Sequence, residues 1–308
     1  MRRENDLIHP LPDRAYLGYP LPEATFEHPA MLHREERILP AHLAREAAGI
    51  TGAHVELGCY LGGSSVSILD GLRRAGALSG PPGPRLHSYD LFVANQYMVD
   101  HSLGQHGVEA GESFEHVFRS MLGDDSRFVE THPGDIRQES WDGGPIALLY
   151  VDILWDWSIN RHVIDQFYRR LVPGAWLIHQ DFIYSMYPWI PVSMEWFVRR
   201  GYFSYHTYAE TGTVAFRCEK ALDDLPGWFD FADHLALLEK RELIRAAADR
   251  FIGYPAALIR MSECVLMDRA GYPAEARRRL AQVAASGDHE YIELHAGIVA
   301  PHLRAAVA

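Results

Sequence analysis

Residues 53–65 read Ala53-His-Val-Glu-Leu-Gly-Cys-Tyr-Leu-Gly-Gly-Ser-Ser65, and an apolar-periodic run from Val66 to Ala75 follows them. This order predicts a buried strand that ends in glutamate, a glycine-rich turn and then a helix. The glycines allow positive φ and a close approach to a ligand, and Ser64 or Ser65 can cap the helix. Such a turn builds nucleotide-type cofactor sites in open α/β sheets, and it also occurs as tight packing without a ligand.

Strand-like and helix-like segments alternate after this turn, which predicts a mostly parallel sheet with helices on both faces. The predicted fold class is therefore α/β, a Rossmann-like sheet with helical N- and C-terminal additions. Two late strand-like runs, joined through Glu210-Thr-Gly212, predict an antiparallel hairpin at the sheet edge. The predicted strands are 53–57, 85–91, 128–131, 146–151, 175–179, 202–208 and 213–218, and the predicted helices are 34–48, 64–76, 113–122, 159–171 and the later part of 184–201.

Three regions follow from this pattern. Residues 1–50 are predicted to form an N-terminal arm and helix, 51–218 a Rossmann-like cofactor-binding catalytic domain, and 219–308 a helical C-terminal region. The arm, which contains His9-Pro-Leu-Pro12, either packs on the body of the protein or reaches over a site. Residues 93–111 are too irregular for a helix or strand, so we expect a long loop that is functional or mobile.

Composition narrows the classes of partner. The formal net charge of −12, with no concentrated basic face, argues against nucleic acid. Three widely spaced cysteines form no pair typical of zinc sites or disulfides and fit a reducing compartment. No run approaches the roughly 20 apolar residues of a membrane span. We therefore expect a cytoplasmic protein without a nucleic-acid or membrane partner, and a helical C-terminal region that serves homo-oligomerisation, a lid or simple packing.

Acidic residues end each of the five predicted parallel strands, at Glu56, Asp90, Asp135, Asp152 and Asp181. Ligands collect at the carboxyl ends of parallel strands, because loops diverge there and helix N-termini point inward. One acidic strand end can arise by chance, but five of them predict a binding rim. Asp90, beyond the glycine turn, is suited to accept hydrogen bonds from a ribose diol.

Several segments together carry a family resemblance: Glu56-Leu-Gly-Cys-Tyr-Leu-Gly-Gly-Ser-Ser65, Asp90, Pro133-Gly-Asp-Ile136, Ala147-Leu-Leu-Tyr-Val-Asp152 and Leu171-Val-Pro-Gly-Ala-Trp-Leu-Ile-His-Gln-Asp-Phe182. With them the sequence resembles the class I methyltransferases that use S-adenosylmethionine. More narrowly, it looks like the natural-product O-methyltransferases related to macrocin-type sugar methyltransferases, in which magnesium assists. The resemblance covers roughly residues 50–218.

The resemblance implies an S-adenosylmethionine site at the ends of the first strands. Its expected cofactor-binding residues are Glu56, Gly58, Tyr60, Gly62, Ser64, Ser65, Asp90, Asp135, Ile136 and Asp152. Glu56 and the glycine turn would face the methionine part, and Asp90 would hold the ribose. Asp135 and Ile136 would lie beside the adenine, although Asp135 is equally suited to a turn.

The resemblance also implies a catalytic and metal site. Asp152 and Asp181 could hold one Mg²⁺, which prefers oxygen ligands and would lower the pKa of the hydroxyl to be methylated. His179 could act as a base, or it could be a hydrogen-bonded structural residue. The sequence departs from the family where it reads His179-Gln-Asp181 rather than two adjacent acids, and where Ile153-Leu-Trp-Asp156 replaces a Gly-Asp pair.

Together these observations predict an O-methyltransferase that acts on a hydroxyl of a small natural-product or sugar-like acceptor. One alternative is an enzyme with this fold that performs other chemistry, which the incomplete metal set favours. Another is a scaffold without catalysis. A dehydrogenase is disfavoured, because the spacing Gly58-x-x-x-Gly62-Gly63 departs from the dinucleotide-binding GxGxxG.

Overall fold

Seven β-strands organise the residues that the computed structural model describes, which are 14–80, 83, 85–209, 211–226, 230–287 and 289–303. The strands are β1 (Ala53–Leu57), β2 (Leu86–Asp90), β3 (Val129–Pro133), β4 (Ile146–Val151), β5 (Leu171–His179), β6 (Phe203–Tyr208) and β7 (Val214–Cys218). They form a mixed, mostly parallel sheet in the order β3-β2-β1-β4-β5-β7-β6. The predicted α/β, Rossmann-like fold class is confirmed.

Strand pairing brings the acidic ends of β1 to β4 to one edge of the sheet unit. β1 pairs in parallel with β2 and β4, and β2 pairs in parallel with β3. Every residue of β4 is buried, as expected for a parallel strand covered on both faces. β6 and β7 pair in antiparallel fashion, so the predicted hairpin is confirmed, although Glu210 of its connection lies outside the described residues.

Twelve α-helices accompany the strands in the described parts of the chain. They are α1 (Glu23–Glu27), α2 (Arg34–Ala47), α3 (Gly63–Arg74), α4 (Gln96–His101), α5 (Glu115–Leu122), α6 (Trp157–Gln166), α7 (Trp189–Arg199), α8 (Phe231–His234), α9 (Leu237–Ala248), α10 (Tyr254–Arg269), α11 (Pro273–Ala284) and α12 (Glu290–Val299). None of these helices combines the length and the apolar character that crossing a membrane requires.

Two sequence predictions about helices are wrong. The segment 93–111 is not an irregular loop, because it contains α4 and a 3₁₀ helix at Leu103–His106. The side chain of Asn95 caps α4 by accepting a hydrogen bond of 2.9 Å from the amide of Met98. The helix predicted over 159–171 ends earlier, since α6 stops at Gln166 and β5 already begins at Leu171.

Contacts along the chain define two compact units. The sheet unit consists of residues 15–153 and 162–178 and holds β1 to β4 and most of β5. The C-terminal unit includes residues 154–161 and those from 179 onward, with β6, β7 and α7 to α12. The division of the chain into functional regions at residues 51 and 218 stays a prediction.

In the sheet unit, the described part of the N-terminal arm packs on α3 and on the glycine turn. The hydroxyl of Tyr19 donates a hydrogen bond of 2.8 Å to Asp70 of α3. His28 Nε2 lies 2.7 Å from the carbonyl oxygen of Leu61, within the turn. A Cβ at Gly63 would come within 2.2 Å of Ala30, so this contact requires glycine. Residues 1–13, with His9 to Pro12, lie outside the described residues.

In the C-terminal unit, α10 is the central helix and contacts α9, α11 and α12. Its Glu263 is 0% exposed and binds three arginines. Arg241 approaches it at 2.8 Å, Arg245 at 2.5 Å and Arg279 at 3.5 Å. Burial alone would raise the pKa of Glu263, but the hydrogen bonds from Arg245 and Arg241 outweigh it and hold the pKa below its ordinary value. This carboxylate therefore joins α9, α10 and α11 by charge.

We expect Glu263→Gln to destabilise the protein by about 3 kcal/mol at pH 7, because it leaves three arginines around a neutral group. The lowered pKa of Glu263 means that its contribution is present above the ordinary glutamate value of 4.5 and is lost as pH falls below it. In urea unfolding, the free energies of unfolding of wild type and Glu263→Gln should therefore become more similar as pH falls below 4.5.

Glu275→Gln is the matched control for this prediction. Glu275 binds the same Arg241 at 3.0 Å, but its side chain is 42% exposed. The Glu275→Gln substitution should lower the free energy of unfolding by about 1 kcal/mol or less, because solvent screens an exposed ion pair. Equal effects of the two substitutions would contradict the role given to the buried carboxylate.

Candidate cofactor site

Glu56, near the end of β1, is a wholly buried carboxyl group. Its Oε2 accepts hydrogen bonds of 2.7 Å from Ser65 and 2.9 Å from Ser88. Its Oε1 accepts none from any residue that the structure describes. Burial raises the pKa of Glu56 to about 7, and the nearby hydroxyls of Ser64, Ser65 and Ser88 act in the opposite direction. A buried carboxylate oxygen without a donor is suited to a cationic or N–H group of a ligand.

The turn after β1 adopts the backbone that its glycines predict. Gly58 has φ 88° and Gly62 has φ 93°, both in the left-handed region. A Cβ at Gly58 would meet the carbonyl oxygen of Asp152 at 2.6 Å, so the turn lies directly against the chain that leaves β4. Tyr60 also has positive φ, at 46°, and its hydroxyl contacts that of Ser102. The turn is therefore held in one conformation.

The predicted serine cap is wrong. Gly62 occupies the N-cap position of α3 in the left-handed conformation, so Ser64 and Ser65 lie inside the first helical turn. Ser65 donates its hydroxyl to Glu56 instead. The N-cap of α3 thus carries no side-chain hydrogen bond, and its first amides remain directed toward the turn.

Asp90, the last residue of β2, holds this turn together. Its Oδ2 accepts hydrogen bonds from the amides of Cys59, at 3.0 Å, and Tyr60, at 2.9 Å. Its Oδ1 accepts one of 3.0 Å from the amide of Phe92. A carboxylate has about four acceptor positions, so these three bonds leave capacity for a further donor. Its predicted bond to a ribose stays a prediction.

The next strand end has a turn structure of its own. Asp135 accepts a hydrogen bond of 3.0 Å from the amide of Arg137 and caps the 3₁₀ helix Ile136–Gln138. It also binds the guanidinium of Arg137, which holds the pKa of Asp135 below its usual value. The turn role that the sequence left open for Asp135 is therefore present. Contact of Asp135 and half-buried Ile136 with adenine stays a prediction.

The predicted catalytic and metal residues fall in different units. Asp152 belongs to the sheet unit, where its amide donates a hydrogen bond of 2.8 Å to the carbonyl of Leu57. His179 and Asp181 belong to the C-terminal unit. His179 is wholly buried with its ring nearly perpendicular to that of Phe216, and burial lowers its pKa to about 3. It is neutral at pH 7 and a weak base, although its role and the shared metal stay predictions.

Sequence reasoning missed three features of the sheet unit. Ser88, a donor to Glu56, lies two residues before Asp90 in β2, and the alternation of a strand could have revealed it. His28 reaches the glycine turn from the arm, and no local pattern indicates that contact. His87, Glu130 and His132 form a cluster because β2 and β3 are paired, which the spacing of histidines along the chain does not show.

Comparison with known proteins agrees with this geometry. Residues 55–182, which contain the buried glutamate, the glycine turn and the ends of β2 and β4, match a family model described as "Methyltransferase domain". This stretch of the chain is a methyltransferase domain. This match, over residues 55–182, confirms the sequence prediction of an S-adenosylmethionine-dependent methyltransferase enzyme.

Solved structures with similarity to the chain include three O-methyltransferases. NovP is 18% identical, with 62% of this chain and 84% of that one covered and a TM-score of 0.46. CalS11, a TDP-rhamnose 3′-O-methyltransferase of calicheamicin biosynthesis, is 16% identical, with 66% of this chain and 90% of that one covered and a TM-score of 0.43. An O-methyltransferase from Bacillus cereus is 14% identical, with 67% of this chain and 92% of that one covered and a TM-score of 0.40. No curated protein sequence matches the chain.

The pKa of Glu56 yields a stability prediction. Because this pKa is raised from 4.5 to about 7 in the folded protein, stability is lost as pH rises between these values. The loss is on the order of 3 kcal/mol. We expect Glu56→Gln, without cofactor, to be more stable than wild type at pH 8 and to lose this advantage near pH 5. Thermal unfolding across this pH range measures the effect.

Glu27→Gln removes an exposed glutamate and serves as the control. Its free energy of unfolding should stay within about 0.5 kcal/mol of the wild-type value, as is usual for a surface substitution. A Glu56→Gln variant that is less stable than wild type at pH 8 would show that the buried carboxylate is satisfied in the cofactor-free protein.

Proposed function

We propose that this enzyme transfers the methyl group of S-adenosylmethionine to a hydroxyl oxygen of a small natural-product or sugar-like acceptor. The observation that carries the proposal is the combination of Glu56, the glycine turn and Asp90 within the methyltransferase domain. It supplies a buried acceptor oxygen, a close backbone approach and a second carboxylate in one place. The acceptor class rests on the resemblance of the sequence to natural-product O-methyltransferases.

The donor set fits the proposed cofactor. The orphaned Oε1 of Glu56 would accept from the ammonium of the methionine part, and Asp90 has remaining acceptor capacity for ribose hydroxyls. The start of α3, with its partial positive charge, is suited to the carboxylate of the same methionine. When bound, the cofactor supplies a methyl group activated by its sulfonium.

The chain's own contribution to the reaction is positioning and proton transfer. Methyl transfer is an in-line displacement, which depends on proximity and alignment. The contact of Gly58 with the carbonyl of Asp152 keeps the cofactor turn and the end of β4 in fixed register. Asp152 is half-buried, whereas His179 is wholly buried and has a pKa near 3. We therefore assign the proton transfer from the acceptor hydroxyl to Asp152.

We include magnesium assistance in the proposal because the sequence places an acidic residue after β4 and another after β5. Asp152 directly follows β4, Asp181 follows β5, and carboxylate oxygens are the ligands that Mg²⁺ prefers. We also propose a homo-oligomer in a reducing, cytoplasmic compartment, in keeping with three free, buried cysteines.

A second candidate is an enzyme of the same class that binds the cofactor but catalyses a different step. It is favoured by the end of β5, where His179 is buried and Gln180 accepts a hydrogen bond of 2.6 Å from Thr213. Neither residue replaces the second acid that the resemblance would require there.

Calorimetric titration with S-adenosylmethionine and with its demethylated product tests the cofactor site. We expect both Glu56→Gln and Asp90→Ala to weaken binding about tenfold or more, because each removes charged hydrogen bonds. Glu56→Gln should do so while raising stability above pH 7, which separates a lost ligand contact from a damaged fold. Wild-type affinity in both variants would contradict the site, with Glu27→Gln as the control.

Incubation with a labelled methyl donor and a panel of sugar diols and phenols tests the reaction. We expect the label on an acceptor oxygen and a rate that rises with Mg²⁺. Asp181→Asn should abolish the magnesium dependence and leave cofactor affinity unchanged, because the residue is proposed to bind metal only. Cofactor binding without label transfer to any acceptor would favour the second candidate.

A further inference from the structure

Three potential metal ligands lie together on one face of the sheet unit. They are His87 of β2 and Glu130 and His132 of β3, and their ligand atoms all lie within 4.8 Å of one another. The parallel register places Glu130 opposite His87, and His132 opposite Tyr89. Because alternate residues of a strand share a face, these side chains project together.

The distances in this cluster resemble those of a four-coordinate metal site. His87 Nδ1 lies 3.2 Å from His132 Nε2 and 3.4 Å from Glu130 Oε2. Ligands held about 2.0–2.1 Å from a tetrahedral Zn²⁺ are separated from each other by about 3.3 Å. Two of the three ligand pairs therefore already have nearly this spacing, and the ligand atoms of Glu130 and His132 lie within 4.8 Å of each other.

We propose that His87, Glu130 and His132 bind one Zn²⁺ or a similar divalent transition metal, with water as the fourth ligand, and that this ion joins edge strand β3 to β2. The proposal is independent of the methyl-transfer reaction. Two imidazoles and one carboxylate favour zinc over magnesium, which prefers all-oxygen sites.

The surroundings of the cluster support this proposal. Tyr89 stacks on His132 with ring centroids 4.1 Å apart, and Trp141 places its ring against His87 at 4.9 Å. These contacts fix both imidazole rings before any ion arrives. Glu130 is 49% exposed, which leaves a path for the ion.

The geometry also admits a simpler state without metal, in which one imidazole donates a hydrogen bond to the other. That state requires one donor and one acceptor nitrogen, and it makes no use of Glu130 beyond its contact with His87. Metal titration distinguishes the two states.

The experiment uses the full chain without an affinity tag, stripped with EDTA and desalted. Calorimetric titration with Zn²⁺ should show one site per chain, and Co²⁺ should produce the visible absorption bands of a four-coordinate ion. Zinc at 100-fold excess over its Kd should raise the melting temperature by about 4 °C. Mg²⁺ should cause none of these changes.

Two variants and one control complete the test. His132→Gln and Glu130→Gln should each weaken zinc binding about tenfold or more. Glu130 is exposed enough that its variant should fold even if His132→Gln does not. His116→Gln removes an exposed histidine of α5 and should bind zinc as wild type does. No zinc binding by wild type, or equal binding by the Glu130→Gln variant, would overturn the proposal.

Discussion

The carboxylate of Asp90 is the interaction on which the cofactor side of the sheet unit depends. By accepting the amides of Cys59 and Tyr60, it ties the turn after β1 to the end of β2. Tyr60 has a φ in the left-handed region, which is costly for a residue other than glycine. The hydrogen bonds therefore offset local strain and present the start of α3 in a fixed direction. A carboxylate that organises a turn is in place to bind a ligand there without further rearrangement.

Asp90 stabilises the turn, whereas Glu56 destabilises the cofactor-free protein. A buried carboxylate with one unsatisfied oxygen costs free energy in the cofactor-free protein, and its raised pKa reflects that cost. Glu263 is equally buried, but three arginines surround it and hold its pKa down. The contrast separates a carboxylate that stabilises the fold from one whose partner is missing. The second kind marks a binding site more reliably than burial or charge alone.

Local sequence patterns predicted the parts of the fold that depend on local physics. The apolar run of β4 and the strand–glycine–helix order at β1 determine their own structure, and β1 and β4 begin and end where the sequence predicts. The acids at the ends of β1, β2 and β4 followed from the same pattern. The segment 93–111 was misjudged, because one capping asparagine was enough to start α4 in a polar stretch. The cluster of His87, Glu130 and His132 depends on which strands are neighbours, and spacing along the chain contains no such information.

The position of β3 at the end of the strand order has a consequence for solubility. An edge strand exposes backbone donors and acceptors that can recruit a strand from another molecule and so begin aggregation. β3 is only five residues long, ends in Pro133, which has no amide hydrogen, and carries the charged Glu130. Short length, proline and charge are the features by which natural sheets avoid such pairing. Self-association of this enzyme should therefore not proceed by extension of the sheet at β3, even at high protein concentration.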